Sequence, residues 1–258
     1  MFNVKLIRAE GLRRVLVALF YIGYVFSMVY CIVHARENEN ISAYYILLAI
    51  VPFGVWCEVL RCLYLKANDA LNLSCDPKRC LRLLSVVQKT DILHQYQVLA
   101  PYLRGFAQLD MNHAAAVEGS VLTQAGTAMT AKRRLDFEFN FLMFSAAVAL
   151  HDFPKTQQYF ETLQRIFSVA KRTTADIISL QKLISGIFLL RSTRISEAAA
   201  VLNTVNPEAL KPRMRAYFCF YLSELYLASG QRGAAEEAYR KAVSLAPAIL
   251  LIAEHGPV

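Results

Sequence analysis

The chain has 258 residues, 56% of them hydrophobic, and its mean hydropathy is +0.34. That balance is too apolar for an ordinary soluble domain and asks for membrane segments, while 10 Gly and 8 Pro argue against disorder and extended linkers. The formal charge of +8 (28 Lys and Arg against 20 Asp and Glu) fits a solvated helical surface beside a membrane better than it fits a nucleic-acid binder.

Basic residues Lys5, Arg8, Arg13 and Arg14 precede the uncharged run Val15–Val33. Nineteen residues at 1.5 Å each make roughly 28 Å of helix, close to the ~30 Å hydrocarbon core of a bilayer. The run is too long for a signal-peptide core, and no small-residue cleavage site follows it. After the polar turn His34–Asn40 comes a second uncharged run, Ile41–Cys57, with a kink expected at Pro52 and Gly54 and interfacial aromatics Tyr44, Tyr45 and Trp56. A two-helix transmembrane hairpin is predicted, with helices over about 15–33 and 41–60, as the anchor domain 1–65. Basic residues flank its outer ends (Arg61, Lys66, Lys78, Arg79 and Arg82 on the C-terminal side), whereas the connecting turn holds only Arg36. Both termini are therefore expected in the cytoplasm, making this a two-pass integral membrane protein whose domain 66–258 is cytosolic.

Beyond the anchor the pattern is helical throughout. Asp76-Pro77 supplies an N-cap and a first-turn proline for a helix running through Val87. Further helices are predicted over Asp91–Leu109, Asn112–Thr123, Thr130–Leu150, Pro154–Val169, Thr174–Arg191 and Ser196–Leu202. Turn markers Asp76, Asp110, Asp152, Arg194 and Gly230 are separated by 34, 42, 42 and 36 residues. Such spacing indicates stacked helical hairpins, with Ala115, Thr156 and Ala198 as the small residue after successive turns. Residues 249–255 form a short apolar segment expected to cap the open end of the array.

The clearest unit is Ala216–Ile249, AYFCFYLSELYLASGQRGAAEEAYRKAVSLAPAI. Helices over 211–228 and 232–245 flank Gly230, and Pro247 stops the second. Small Ser223, Ala235 and Ala242 face large Leu222, Tyr226 and Tyr239, which lets two antiparallel helices approach and interdigitate. Leu222, Tyr226, Gly230, Ala235, Tyr239, Ala242 and Pro247 together resemble the tetratricopeptide repeat, a thirty-four-residue helical hairpin. Cys219 stands where that family usually has Trp, and Ser223 where it often has Gly. The resemblance covers about 216–249 closely and 64–210 loosely. It implies an all-α fold, a right-handed α-solenoid of about five hairpins after the membrane hairpin. It also implies a concave peptide groove lined by the first helix of each hairpin. In the last repeat Tyr217, Phe220, Glu224 and Leu227 would line it, and in a middle one Glu138 and Phe141. Phe220, Tyr221 and Glu224 replace the Lys and Asn of the family's carboxylate clamp, so the implied ligand is a hydrophobically anchored peptide.

No nucleotide-binding, nucleophile-elbow or zinc-protease motif occurs, and none of the five His has a ligand at metal spacing. Six cysteines without a C-x-x-C pair read as reduced, packed thiols. No cofactor is expected. The basic runs Lys132-Arg133-Arg134 and Lys171-Arg172 lack interleaved aromatics, so they read as surface or anionic-lipid contacts rather than as specific nucleic-acid sites. The expected function is a membrane-anchored scaffold or adaptor that binds a protein or peptide at the cytoplasmic face. The other reading is an assembly or accessory factor whose main contact is the transmembrane hairpin. Neither makes the chain an enzyme.

Overall fold

In a computed structural model of the chain, residues 4–34, 41–117, 119, 136–169, 174–254 and 256 are described. Among them every regular element is helical. The chain divides into two compact units, Met1–Cys62 and Leu63–Val258. Both basic runs, Arg36 and His255 lie outside the described residues.

The first unit is built from helix α1 (Val4–His34) and most of helix α2 (Ile41–Asn72). Both are longer than the expected 15–33 and 41–60. Gly11–His34 and Ile41–Asn72 are long and apolar enough to cross a membrane. The two run antiparallel. Arg13 donates to Glu58 at one end (2.6 and 3.2 Å), and the Tyr24 hydroxyl donates to the Leu47 carbonyl (3.2 Å) further along. Gly54 allows the approach between these points: a Cβ there would lie 2.2 Å from the Tyr21 hydroxyl oxygen. A small residue at a helix crossing lets packing replace the hydrophobic drive that lipid cannot supply. Outward residues stay apolar and open, Phe26 at 73% exposure.

The second unit begins with the end of α2, then α3 (Pro77–Thr90) and α4 (Ala100–Asp110). Asp76 caps α3 as expected, its carboxylate accepting from the Arg79 amide at 2.9 Å. The predicted helix 91–109 does not start at Asp91. The Asp91 carboxylate instead accepts from the amides of Gln95 and Tyr96 (2.9 and 2.7 Å), and His94 takes φ +56°. A side chain that captures two backbone donors offers the chain an alternative to the helix, so residues 91–99 form turns until Pro101 opens α4.

Among the described residues three helical hairpins follow: α5 (Asp136–Ala149) with α6 (Phe153–Val169), α7 (Ala175–Arg191) with α8 (Ile195–Leu202), and α9 (Pro212–Ala228) with α10 (Arg232–Leu245). Each packs on its neighbour in order, α4 on α5, α6 on α7, and both α7 and α8 on α9. The turns after α4, α5, α7 and α9 are built alike. One residue enters the left-handed region in each: Asn112 (φ +62°), His151 (+55°), Thr193 (+59°) and Gly230 (+75°). The next amide then returns to a carbonyl five residues back: His113 to Gln108, Asp152 to Ala147, Arg194 to Leu189 and Gln231 to Tyr226, at 2.8–3.0 Å. This satisfies the carbonyls that a helix end leaves open and reverses the chain in a fixed geometry.

A buried residue follows each turn at the helix–helix contact. Thr156, Ala198 and Ala235 occupy it as predicted, but Ala115 does not. Ala115 is exposed, and Ala114 and Val117 are the buried residues there. At Gly186 α7 comes close to α8: a Cβ there would lie 2.4 Å from Leu202 Cδ2. None of the six cysteines forms a disulfide; Cys75, Cys80 and Cys219 are buried.

The last element is a four-residue helix, α11 (Leu250–Ala253). It packs on α10, as a cap on the last hairpin would, and also on α4, at the other end of the series.

Candidate functional site

The first helices of the hairpins, α5, α7 and α9, turn one face toward a common centre, and α4 joins them. Leu109 from α4, Phe141, Phe144 and Ser145 from α5, Leu183, Ile184 and Ile187 from α7, and Arg213, Tyr217 and Tyr221 from α9 line a single small cavity there. Leu251 of α11 lines it as well. Its volume is about 30 Å³, room for roughly one or two water molecules and for no side chain from outside.

A buried polar cluster stands beside this cavity. Arg213 Nε donates to Asp110 Oδ2 at 2.7 Å and Arg213 Nη2 to Asp110 Oδ1 at 2.6 Å. The Tyr217 hydroxyl also donates to Asp110 Oδ1, at 2.7 Å. Local structure aims these groups. Pro212 opens α9, placing Arg213 in its first turn, and Tyr217 follows one turn later on the same face. Asp110 is the last residue of α4. The guanidinium also lies over the rings of Phe106 and Tyr217, 5.0 and 5.2 Å from their centroids.

Burial by itself would lower the pKa of Arg213, but the Asp110 carboxylate and its hydrogen bonds outweigh that and hold the guanidinium above its ordinary range. Burial, and then the Asp110 charge, push the Tyr217 phenol well above 10.0. At neutral pH the phenol is a donor and cannot serve as a base. The cluster is a buried lock between α4 and α9.

A second pair joins α7 to α9. Arg191 Nη2 donates to Glu224 Oε1 at 3.1 Å, and the Arg191 guanidinium lies 5.7 Å from the Tyr221 centroid.

The expected groove residues divide in two. Phe141 and Tyr217 do meet at the centre, where Tyr217 is only 6% exposed. Phe220 is 4% exposed and packs edge-to-face on Tyr221 at 5.3 Å, Glu224 is held by Arg191, and half-buried Leu227 lies outside the cavity lining. Glu138 is also half-buried and outside the lining, and its Oε2 has no hydrogen-bond partner among the described residues. Tyr217 and Phe220 are thus core residues in this state rather than open groove surface. The physical reason is that α9 packs on α7, α8 and α10, and that Leu251 and the Asp110 contact occupy its inner face.

Spacing alone missed Asp110, Arg213 and Leu251. Asp110 stood out only as a turn marker, because a partner 103 residues away leaves no local signature. The usable signal was Arg213, a charged residue in the first turn of a helix otherwise rich in aromatic and apolar residues.

Among the described residues no group of three or more His, Cys, Asp and Glu could hold a metal ion. Comparison with protein-family models, with curated proteins and with solved structures found no match to this chain.

Proposed function

We propose that this protein is a two-pass membrane-anchored adaptor whose helical-hairpin unit binds a protein or peptide partner at the cytoplasmic face, with both termini on that side. The observation that carries this reading is the pairing of two apolar helices long enough to span a bilayer with a separate unit of repeated hairpins. The tetratricopeptide-like pattern of residues 216–249 and the four like-built turns support a right-handed solenoid. Anchoring such a unit at a bilayer raises its effective concentration for membrane-bound partners. The basic flanks suit anionic headgroups, each Lys or Arg near the surface contributing about 1 kcal/mol.

One observation favours a second reading, an assembly factor that works through its membrane hairpin. The inner face of the hairpin unit is closed, whereas Phe20, Ile22 and Phe26 stand exposed along α1. Cross-linking in cells followed by co-purification separates the two when the full chain is compared with residues 66–258. The adaptor keeps its partner in the shorter chain. Loss of every partner from the shorter chain, with full-length adducts retained, would favour the second reading.

A further inference from the structure

The C-terminal segment meets the inner faces of the first helices at the central cavity. Ile249, Leu251 and Ile252 are buried, and Leu251 reaches the central cavity. A four-residue helix has no stability of its own in water, so its order comes entirely from the seat it occupies. The polar contacts that hold its far end are at exposed positions. Asn112 Nδ2 donates to Glu254 Oε2 at 2.9 Å, and the Tyr239 hydroxyl donates to the Ala253 carbonyl at 2.9 Å. Water competes for both. Pro247 and Ala248, which join the segment to α10, are exposed.

The seat has a buried tie of its own besides that segment. The buried Arg213–Asp110–Tyr217 cluster fixes α9 against α4 directly. The left-handed Asn112 turn, two residues after Asp110, then sets the rim donor. A surface held in place by its own buried lock is pre-organised for a ligand, and pre-organisation cuts the cost of binding.

We propose that this seat, formed by α4, α9 and α10, is a binding site for a short helical segment of a partner protein. The partner segment carries two adjacent apolar residues followed two positions later by an acid, and residues 249–254 are its built-in competitor. The proposal rests on the adaptor reading and specifies its partner. In the closed state the tethered segment, present at high effective concentration, excludes the ligand. In the open state Leu251 and Ile252 leave the seat, and a partner segment with the same chemistry replaces them, its carboxylate accepting from Asn112.

The test uses the full chain in nanodiscs and a fluorescein-labelled synthetic peptide of residues 247–254. Ile252→Asp in the protein releases its own segment, so the variant should bind the peptide at least about tenfold more tightly than the unaltered chain does. A peptide carrying the same Ile252→Asp change should not bind. Equal binding by both proteins, with the variant still showing a cooperative melt, overturns the proposal. If the variant does not fold, hydrogen exchange of the unaltered chain decides. The amides of Ile252 and Ala253, both donating to the Ile249 carbonyl, exchanging at least about tenfold faster than those of α9 report the expected local opening. Their exchange only together with α9 marks a permanent cap and overturns it. Peptide binding without any cellular partner would remove the adaptor and leave the site; a partner retained by residues 66–258 without peptide binding would do the reverse.

Discussion

Arg213 meets Asp110 with two parallel hydrogen bonds of 2.7 and 2.6 Å across 103 residues of sequence, both side chains buried. This contact joins the first helix of the last hairpin to α4. Removing one partner leaves the other charged or polar group buried without compensation. Arg213→Met or Asp110→Leu alone should therefore destabilise the chain by about 3–5 kcal/mol in equilibrium denaturation. The double variant should recover much of that loss, because a well-packed apolar pair costs no desolvation. Additive single losses in the double-mutant cycle would show that the pair does not act as a unit.

The approach of α7 to α8 makes a second prediction. A methyl group at Gly186 would fall 2.4 Å from a Leu202 side-chain carbon, and Leu202 is fully buried. The better helix propensity of alanine is worth about 1 kcal/mol, and overpacking costs about 1–3 kcal/mol. Gly186→Ala should lower stability on balance, and adding Leu202→Ala should make the glycine substitution nearly neutral. Thermal melts of the four variants give the cycle.

At Thr193 the backbone is the issue. It holds φ +59° with a β-branched side chain, a conformation that asparagine and glycine take more readily. Its side chain is exposed, so little packing is lost by replacing it. Thr193→Gly or Thr193→Asn should raise stability by about 0.5–1 kcal/mol. Gly230→Ala, at φ +75° in the equivalent turn, should lower it by a similar amount.

Alkaline pH should weaken the fold through two buried thiols. Burial, and then the Asp110 charge, push Cys75 up to about 11 and Cys80 up to about 12 from 9.0. Below pH 9 folded and unfolded chains both keep these protons, so the stabilisation is intact. Between pH 9 and 12 the unfolded chain releases them first, and stability falls until the folded thiols titrate. Tm measured from pH 8 to 11 should decline, and Cys75→Ala with Cys80→Ala should flatten the decline. A slope unchanged by the double substitution would assign the effect to other groups.

The helices could be read from the sequence wherever apolar period and end signals agree. Asp76-Pro77 opens α3, and Gly230 separates α9 from α10 where predicted. The reading failed where a side chain competes with the helix, as Asp91 does, or where an ordinary residue takes a glycine conformation. Asn112, His151 and Thr193 are such residues, so three of the four like-built turns carried no glycine to mark them. The centre was only half legible. Phe141 and Tyr217 were expected on the inner face from the resemblance to the tetratricopeptide repeat, but whether that face stays open depends on contacts between distant segments. The Arg213–Asp110 bridge and the seating of Leu251 are of that kind, and local periodicity does not encode them.

The central claim, a membrane-anchored unit that receives its partner at the seat beneath the C-terminal segment, is tested most directly by photo-cross-linking the full chain in cells. A photoreactive residue replaces His113, the exposed neighbour of Asn112, in one variant and Phe26 on the exposed face of α1 in another. The account predicts a discrete protein adduct from position 113 that grows when Ile252→Asp is added. Adducts from position 26 alone, unaffected by Ile252→Asp, would contradict it and move the contact surface to the membrane hairpin.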